Sequence, residues 1–405
     1  MATQHEPPLS LVPRLMQLPY ELINNIAGLL SRRDFESFRL SSQMIAECTR
    51  PQLALDRFDG MPWRQDGNRL HKLSLISSCA RRIRSVGFNM ARMDKEEVEY
   101  ATSRIISAEE LNRKWGSYLT TQDLFLESIE LPLDLVIPAL MRLPNLDTVS
   151  LTWTKCPWEE IDICNVFERE RSLELAGDEI LESQQAVLDA LCKRNAPLKG
   201  LTIEPFMYPE LTLPSKLDDK VSTVLGTVTK LHLVVDYEVD LFMPDRLDYF
   251  ISLMPNIRDL RIHSWPVGDE ASDIDFYITN RLSNLEKLDL SCLHFNFVNF
   301  ARLIKDHGPT LKEVRMQTLY GWCDPFNSAE LDWDMMFQLM REKLKAPEKI
   351  RINGTFSDNV GWHQLFFHGG TPWADELARI MGERSNRLED FILKGGKYPQ
   401  PTWSI

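Results

Sequence analysis

The chain has 405 residues, 43% hydrophobic and 26% charged, with 59 acidic side chains against 46 basic ones and a formal net charge of -13. This is the balance of a globular protein with room for more than one structural unit. It excludes two classes of partner: nucleic acid, because phosphate neutralisation needs clustered Lys and Arg, and membrane, because no stretch approaches roughly 18 uninterrupted apolar residues.

Residues 1–17 open with MATQHEPPLSLVPR, which has no charged start followed by an apolar core, so no secretory signal is expected and the segment reads as disordered. The seven cysteines are odd in number and no two stand in a C-x-x-C spacing. That fits buried thiols in a reducing compartment, cytoplasmic or nuclear, better than disulfides or zinc.

Residues 18–58 read as a small helical module. Pro19 stands where a helix can begin. From it runs a stripe with Leu18, Leu22, Ile26 and Leu29 on one line and Ile23 and Leu30 beside it, the spacing of one buried face. Ser31 offers an N-cap hydroxyl, with Asp34 three residues on. A second helix follows with Phe35 and Phe38 one turn apart, then Leu40, Met44 and Ile45. A unit of about forty residues rarely buries enough surface to be stable alone. It needs either a docked partner or a rigid neighbour in the same chain, as an end cap.

The stretch resembles an F-box: Leu18-Pro19, Glu21-Leu22, Ile26, Leu29-Leu30, Asp34-Phe35, Phe38-Arg39-Leu40 and Ser42 follow that family's order and spacing. The departures are Ser41 in place of the usual Val, and Gln43, Met44 and Ile45 in place of a basic-then-aromatic segment. The resemblance implies docking on a Skp-type adaptor, and through it on a cullin, by Leu18, Pro19, Glu21, Leu22, Ile26, Leu29, Leu30, Phe35, Phe38 and Leu40.

Residues 59–82, opening with the turn-rich Asp59-Gly60-Met61-Pro62, are expected to be a junction. From 83 to 393 the pattern apolar-x-x-apolar-x-apolar recurs, from Ile83/Val86/Phe88 and Leu146/Val149/Leu151 to Pro347/Ile350/Ile352 and Leu388/Phe391/Leu393. Five starts, Leu198, Val228, Ile257, Leu285 and Leu311, are separated by 30, 29, 28 and 26 residues. A period near this range marks a leucine-rich-repeat solenoid. Helical stripes such as Leu247, Phe250, Ile251 and Met254 alternate with these strands and stop at Gly, Pro or Asn. The expected fold class is therefore α/β, with an N-terminal helical module and a solenoid whose parallel sheet is concave and whose helices lie outside. The turns Leu143-Pro144-Asn145-Leu146 and Met254-Pro255-Asn256-Ile257 resemble those of degenerate leucine-rich repeats in F-box proteins of filamentous fungi. Residues 94–130 read as a charged helical insertion, Pro138 as the start or the kink of its helix, and 394–405 as a C-terminal tail.

No catalytic residue, metal ligand or cofactor is expected. His368-Gly369-Gly370 has the look of an esterase oxyanion loop, but no G-x-S-x-G nucleophile turn accompanies it. His363 and His368 are five apart, not the i, i+4 pair of a zinc helix. Phosphate-binding glycine motifs are missing. Trp153, Trp158, Trp265 and Trp322 follow strand ends, where each either serves an interface or caps its own repeat.

On the face opposite the apolar positions, equivalent residues of successive strands form rows. One row reads Lys230, Asp259, Lys287, Glu313, Lys349, Asp390, alternating in sign, and is assigned to solubility and register. The next reads His232, Arg261, Asp289, Arg315, Arg351, with two arginines adjacent, and beyond it lie His263 and Gln317. Arg261, His263, Arg315, Gln317 and Arg351 are the candidate site for an acidic or phosphorylated protein segment, unless acids from loops neutralise the arginines. The first reading is a non-enzymatic substrate receptor of an SCF-type ubiquitin ligase. A repeat scaffold whose first helices are only an end cap is the alternative, and a hydrolase the third.

Overall fold

The structure, a computed structural model, describes residues 18–49 apart from 31, then 56–61, 65–90, 131–153, 177–206, 223–235, 244–264, 276–322, 331–357, 362–364 and 387–399, with isolated positions at 107, 109 and 113. The chain divides into two compact units, Met1–Arg57 and Phe58–Ile405.

The first unit holds three helices, α1 (Tyr20–Gly28), α2 (Arg32–Leu40) and α3 (Gln43–Cys48). Pro19 precedes α1, and its carbonyl accepts the N–H groups of Leu22 and Ile23 at 3.0 and 3.2 Å. Both α1 and α2 pack on α3. Among the described side chains the buried apolar ones are Ile23, Ala27 and Ile45, so the face of α1 that turns inward includes the i, i+4 pair Ile23 and Ala27. This corrects the single buried stripe expected through Leu22 and Leu29, both of which are exposed. Ser31, the expected cap of α2, lies outside the described residues; Asp34 is in that helix's first turn.

The second unit is built on a ten-stranded sheet whose spatial order is its sequence order. The strands are β1 (Arg57–Gly60), β2 (Ser85–Asn89), β3 (Thr148–Thr152), β4 (Gly200–Phe206), β5 (Lys230–Val235), β6 (Asp259–Ser264), β7 (Lys287–Asn296), β8 (Glu313–Trp322), β9 (Lys349–Ser357) and β10 (Trp362–Gln364). From β2 to β9 all pairings are parallel, and β10 returns antiparallel on β9. Parallel neighbours in sequence order require a crossover each time, and five of the seven between β2 and β9 carry a helix: α6 (Leu133–Arg142), α7 (Gly177–Arg194), α8 (Pro244–Ser252), α9 (Phe297–His307) and α10 (Trp333–Lys343). Residues 59–82, expected to be a junction, instead carry the end of β1 and the helices α4 (Asp66–Leu75) and α5 (Ser77–Ala80). Pro138 is interior to α6 and does not start it.

The repeat is visible in the backbone. At each strand start two consecutive N–H groups converge on one carbonyl of the preceding unit: Lys199 and Gly200 on Asp147, Thr229 and Lys230 on Lys199, Arg258 and Asp259 on Thr229, and so on to Glu348 and Lys349 on Lys312, at 2.6–3.1 Å. The Pro-Asn turns add a side-chain tie. Asn145 Nδ2 donates to the Arg81 carbonyl at 2.6 Å, and Asn256 Nδ2 to that of Gly226 at 2.7 Å. Each asparagine therefore fastens its turn to the unit before, satisfying a carbonyl that the turn would otherwise leave bare.

Alternation along each strand sends one set of side chains into the core and the other to the open face. Leu231 and Leu233, Leu260 and Ile262, Leu288 and Leu290, and Val314 and Met316 are all buried. In β7 and β8 the alternation reverses partway. Cys292, Thr318 and Gly354, which follow the paired residues Ser291, Gln317 and Asn353, all take left-handed backbone with φ of 54°, 50° and 86°. One extra residue in that conformation bends the strand; in β7 and β8 it exchanges the faces, whereas in β9, whose register with β8 shifts at this point, Ile350, Ile352 and Phe356 are all buried. Core positions therefore move from Leu288 and Leu290 to Leu293 and Phe295. Beyond the bend Trp333 of α10 is fully buried among Phe297, Phe300, Phe337 and Phe356, with ring centroids 4.9–5.9 Å from its own. Gly321 is needed here, because a Cβ would stand 2.0 Å from the Phe297 ring.

The last expected strand is a helix, spanning 387–394. Leu388 and Ile392 are the buried pair, an i, i+4 spacing, and Asp390 bridges to Lys394 at 2.7 Å along the same helix. A strand would have placed Asp390 inside the alternation, and the helical period avoids this. The segment closes the edge of the sheet: Glu389 Oε1 accepts the Ile352 N–H at 2.8 Å. Of the expected tail, the described part is docked, with the Tyr398 hydroxyl donating to Asp334 at 2.5 Å.

Candidate interaction surfaces

Two surfaces combine residue types that recognise proteins. On the first unit, packing α1 and α2 on α3 leaves large apolar side chains outside: Leu22 is 47% exposed, Leu29 87%, Leu40 89% and Met44 37%. Pro19 is exposed as well, while Leu18, Ile26, Leu30, Phe35 and Phe38 are half-buried. Thus the residues that match the F-box pattern divide. Leu22, Leu29 and Leu40 stand out, the aromatics and Ile26 are partly covered, and the Glu21 side chain lies outside the description. Nothing in the sequence signals that Ala27, not a larger residue, fills the inside of α1.

The second surface is the open face of the sheet. Its registers reproduce the expected rows: Lys230, Asp259, Lys287, Glu313 and Lys349 are successive partners, as are His232, Arg261, Asp289, Arg315 and Arg351. Across β2–β4 the same rows hold only Ser85, Thr148 and Gly200, and Gly87, Ser150 and Thr202. From β2 onward, these two rows therefore carry charge only from β5.

Charged side chains on β6–β9 line an open groove of about 440 Å³, with five cations (Arg261, Lys287, Arg315, Lys349 and Arg351) against three carboxylates (Asp259, Asp289 and Glu313). The cations are not equivalent. Arg261 forks onto Asp259 through Nε and Nη2, both at 3.1 Å, and this hydrogen-bonded carboxylate raises its pKa above the usual guanidinium value. Lys287 Nζ lies 2.6 Å from Glu313, whose carboxylate raises its pKa too. Arg315 reaches Asp289 only at 3.8 Å and donates to the Gln317 side-chain oxygen at 3.2 Å. The acids come from the strands themselves, not from loops.

Asp289 is the hub of this arrangement. Burial pushes its pKa up, but His263 Nε2 at 3.3 Å and the charges of Arg315 and Arg261 outweigh that and hold it below the usual carboxylate range. His263 therefore serves Asp289, and stands edge-on to His232 with ring centroids 5.0 Å apart. Lys349 and Arg351 are different. Neither forms an ion pair or hydrogen bond among the described residues. The sequence reading gave Lys349 an opposite neighbour in Asp390, but Asp390 is on the helix and not in the row.

Beyond the strand bend lie His294 and Tyr320, register partners whose rings stack at 4.6 Å. The sequence reading stopped at His263 and Gln317, because three aligned left-handed residues leave no mark in apolar spacing. Of the tryptophans, Trp153 is buried and so caps its own repeat, Trp322 ends β8 half-buried, and Trp158 and Trp265 lie outside the described residues, as do His368 and most of 94–130. Among the described residues no three His, Cys, Asp or Glu side chains gather closely enough to hold a metal ion, and no helix is long and apolar enough to cross a membrane. No protein-family model matches the chain, and no curated protein matches its sequence.

Proposed function

We propose that this protein is the substrate receptor of an SCF-type cullin-RING ubiquitin ligase. The helical unit is an F-box that holds a Skp-type adaptor, and the solenoid is a degenerate leucine-rich-repeat domain that holds a protein substrate on the open sheet face. The observation that carries the reading is the outward placement of Leu22, Leu29 and Leu40 in a three-helix unit with few buried side chains. An apolar set of this kind loses free energy in water and gains by docking, at about 25 cal/mol per Å² covered. Catalysis then belongs to the conjugating enzyme, and the receptor acts by raising the local concentration of substrate lysines. The working compartment is cytoplasmic or nuclear.

The experiment is co-purification with a Skp-type adaptor. Leu22→Asp with Leu29→Asp should abolish capture, because docking would bury two unpaired carboxylates at a cost of several kcal/mol. Both positions are exposed, so the variant should fold. Undiminished capture by the folded variant would sink the F-box assignment and leave the repeat scaffold as the function.

A further inference from the structure

The open sheet face carries its charge unevenly, and the unevenness identifies what it binds. On β6 and β7 the arginine and the lysine are each answered, Arg261 by Asp259 and Lys287 by Glu313, and His263 Nε2 lies 3.3 Å from Asp289. Toward β9 the acids run out. Arg315 has only a long contact with Asp289, and Lys349 and Arg351 form no ion pair among the described residues. The next strand, β10, pairs with β9 only at Thr355–Ser357, so among the described residues no strand lies beside Lys349 and Arg351 to supply an acid. Glu389, whose carboxyl feels the Arg351 charge, is committed to the Ile352 N–H.

We infer that this end of the sheet binds an extended acidic segment of a partner protein, an acid-x-acid run whose carboxylates lie against Lys349, Arg351 and Arg315. The inference rests on the receptor reading of the sheet face and names the chemistry of its substrate. Lys349 and Arg351 are two residues apart on one strand, about 6.6 Å, which is also the separation of side chains on one side of an extended peptide. Acids at alternate positions therefore meet both cations at once. Arg315 is the register partner of Arg351, about 4.8 Å to the side, and reaches the same carboxylate or the next.

A run of carboxylates fits better than one phosphate. A dianion needs several free donors converging on a point. Here the donors are spread over two rows, and Arg315 is already shared with Asp289 and Gln317. The charge surplus is also modest, five cations to three acids, which suits single charges delivered one at a time.

The test is fluorescence anisotropy with the full chain and three labelled peptides: alternating Glu and Ser, alternating Gln and Ser, and the Gln/Ser peptide with a single phosphoserine. The Glu peptide should bind and weaken as salt rises. Lys349→Gln with Arg351→Gln should weaken it about tenfold, the loss expected of two charge-assisted contacts, and Arg261→Gln by less than about twofold. Equal binding of the Gln peptide, an unchanged double variant, or tight binding of the phosphoserine peptide without the Glu peptide would each overturn the inference. Adaptor capture by the wild-type chain separates the two readings. Capture without peptide binding removes this inference alone, whereas peptide binding without capture removes the receptor assignment and leaves the acidic-segment site standing.

Discussion

The two units of this chain treat apolar side chains in opposite ways. In the first, three helices bury Ile23, Ala27 and Ile45 and leave Leu22, Leu29, Leu40 and Met44 outside. In the second, every strand core from β2 to β9 buries its apolar positions and turns polar or charged residues outward. The difference follows from geometry. A solenoid repeat finds its missing half in the next repeat, so each added unit completes the one before. A three-helix unit of this size has no repeat to complete it and is short of buried surface within itself. The contrast makes the second unit the richer in buried apolar surface, and the first the one on which the proposed adaptor contact depends.

The sharpest way to break that contrast is to damage the richest part of the repeat core. Trp333→Ala removes the ring around which Phe297, Phe300, Phe337 and Phe356 are arranged. The expected loss is about 3–5 kcal/mol, the transfer term plus a cavity that the strands on both sides cannot close. Urea unfolding should show a lower midpoint with little change in slope. A midpoint within error of wild type would mean that the layer is not close-packed.

A smaller effect separates the units by pH. His307 is buried at the end of α9, where Nε2 accepts the Leu282 N–H at 3.0 Å, so Nδ1 carries the proton and donates to the Leu303 carbonyl at 2.9 Å. Burial lowers its pKa below the ordinary value of 6.5; the Leu303 carbonyl and Asp306 favour the charged form, and Arg281 opposes it. The folded state therefore binds this proton less readily than the unfolded chain does. Its contribution to stability is complete above the unfolded value and falls as pH drops below about 6.5. Chemical denaturation at about pH 7.5 and about pH 5.5 should show a larger acid loss for wild type than for His307→Gln, which does not titrate. Equal losses would free His307 of this role.

How much of this was legible in sequence depends on which force acts at each position. The rows of the sheet were readable, because apolar-x-x-apolar-x-apolar fixes both the burial and the register of strands such as β5–β8. Residues 388–393 were misread because Leu388, Phe391 and Leu393 satisfy that template, while the buried pair is Leu388 and Ile392 at helical spacing. That one reversal changed the site: with Asp390 gone from the row, Lys349 loses its expected acid. The pairing of Arg261 with Asp259 was hidden for another reason. The two lie i, i+2 on one strand, and whether an arginine folds back on its own strand or reaches across is decided by rotamers, which sequence does not record. The bends at Cys292, Thr318 and Gly354 were invisible too, since only the third has the residue type that left-handed backbone favours.

The smallest expected effect tests the other side of the contrast. Leu29 and Leu40 are 87% and 89% exposed, so the folded unit covers little more of either side chain than the unfolded chain does. Replacing both with Ser removes almost no buried area, and surface changes of this kind stay within about 0.5 kcal/mol. Solubility should rise, because two exposed apolar groups are gone. The thermal midpoint of the full chain should therefore hold while adaptor capture falls, a separation that a core position cannot produce. If the double variant instead lowers the midpoint as a buried leucine would, the two side chains are covered in solution, and the outward face of the helical unit is an internal contact of the chain.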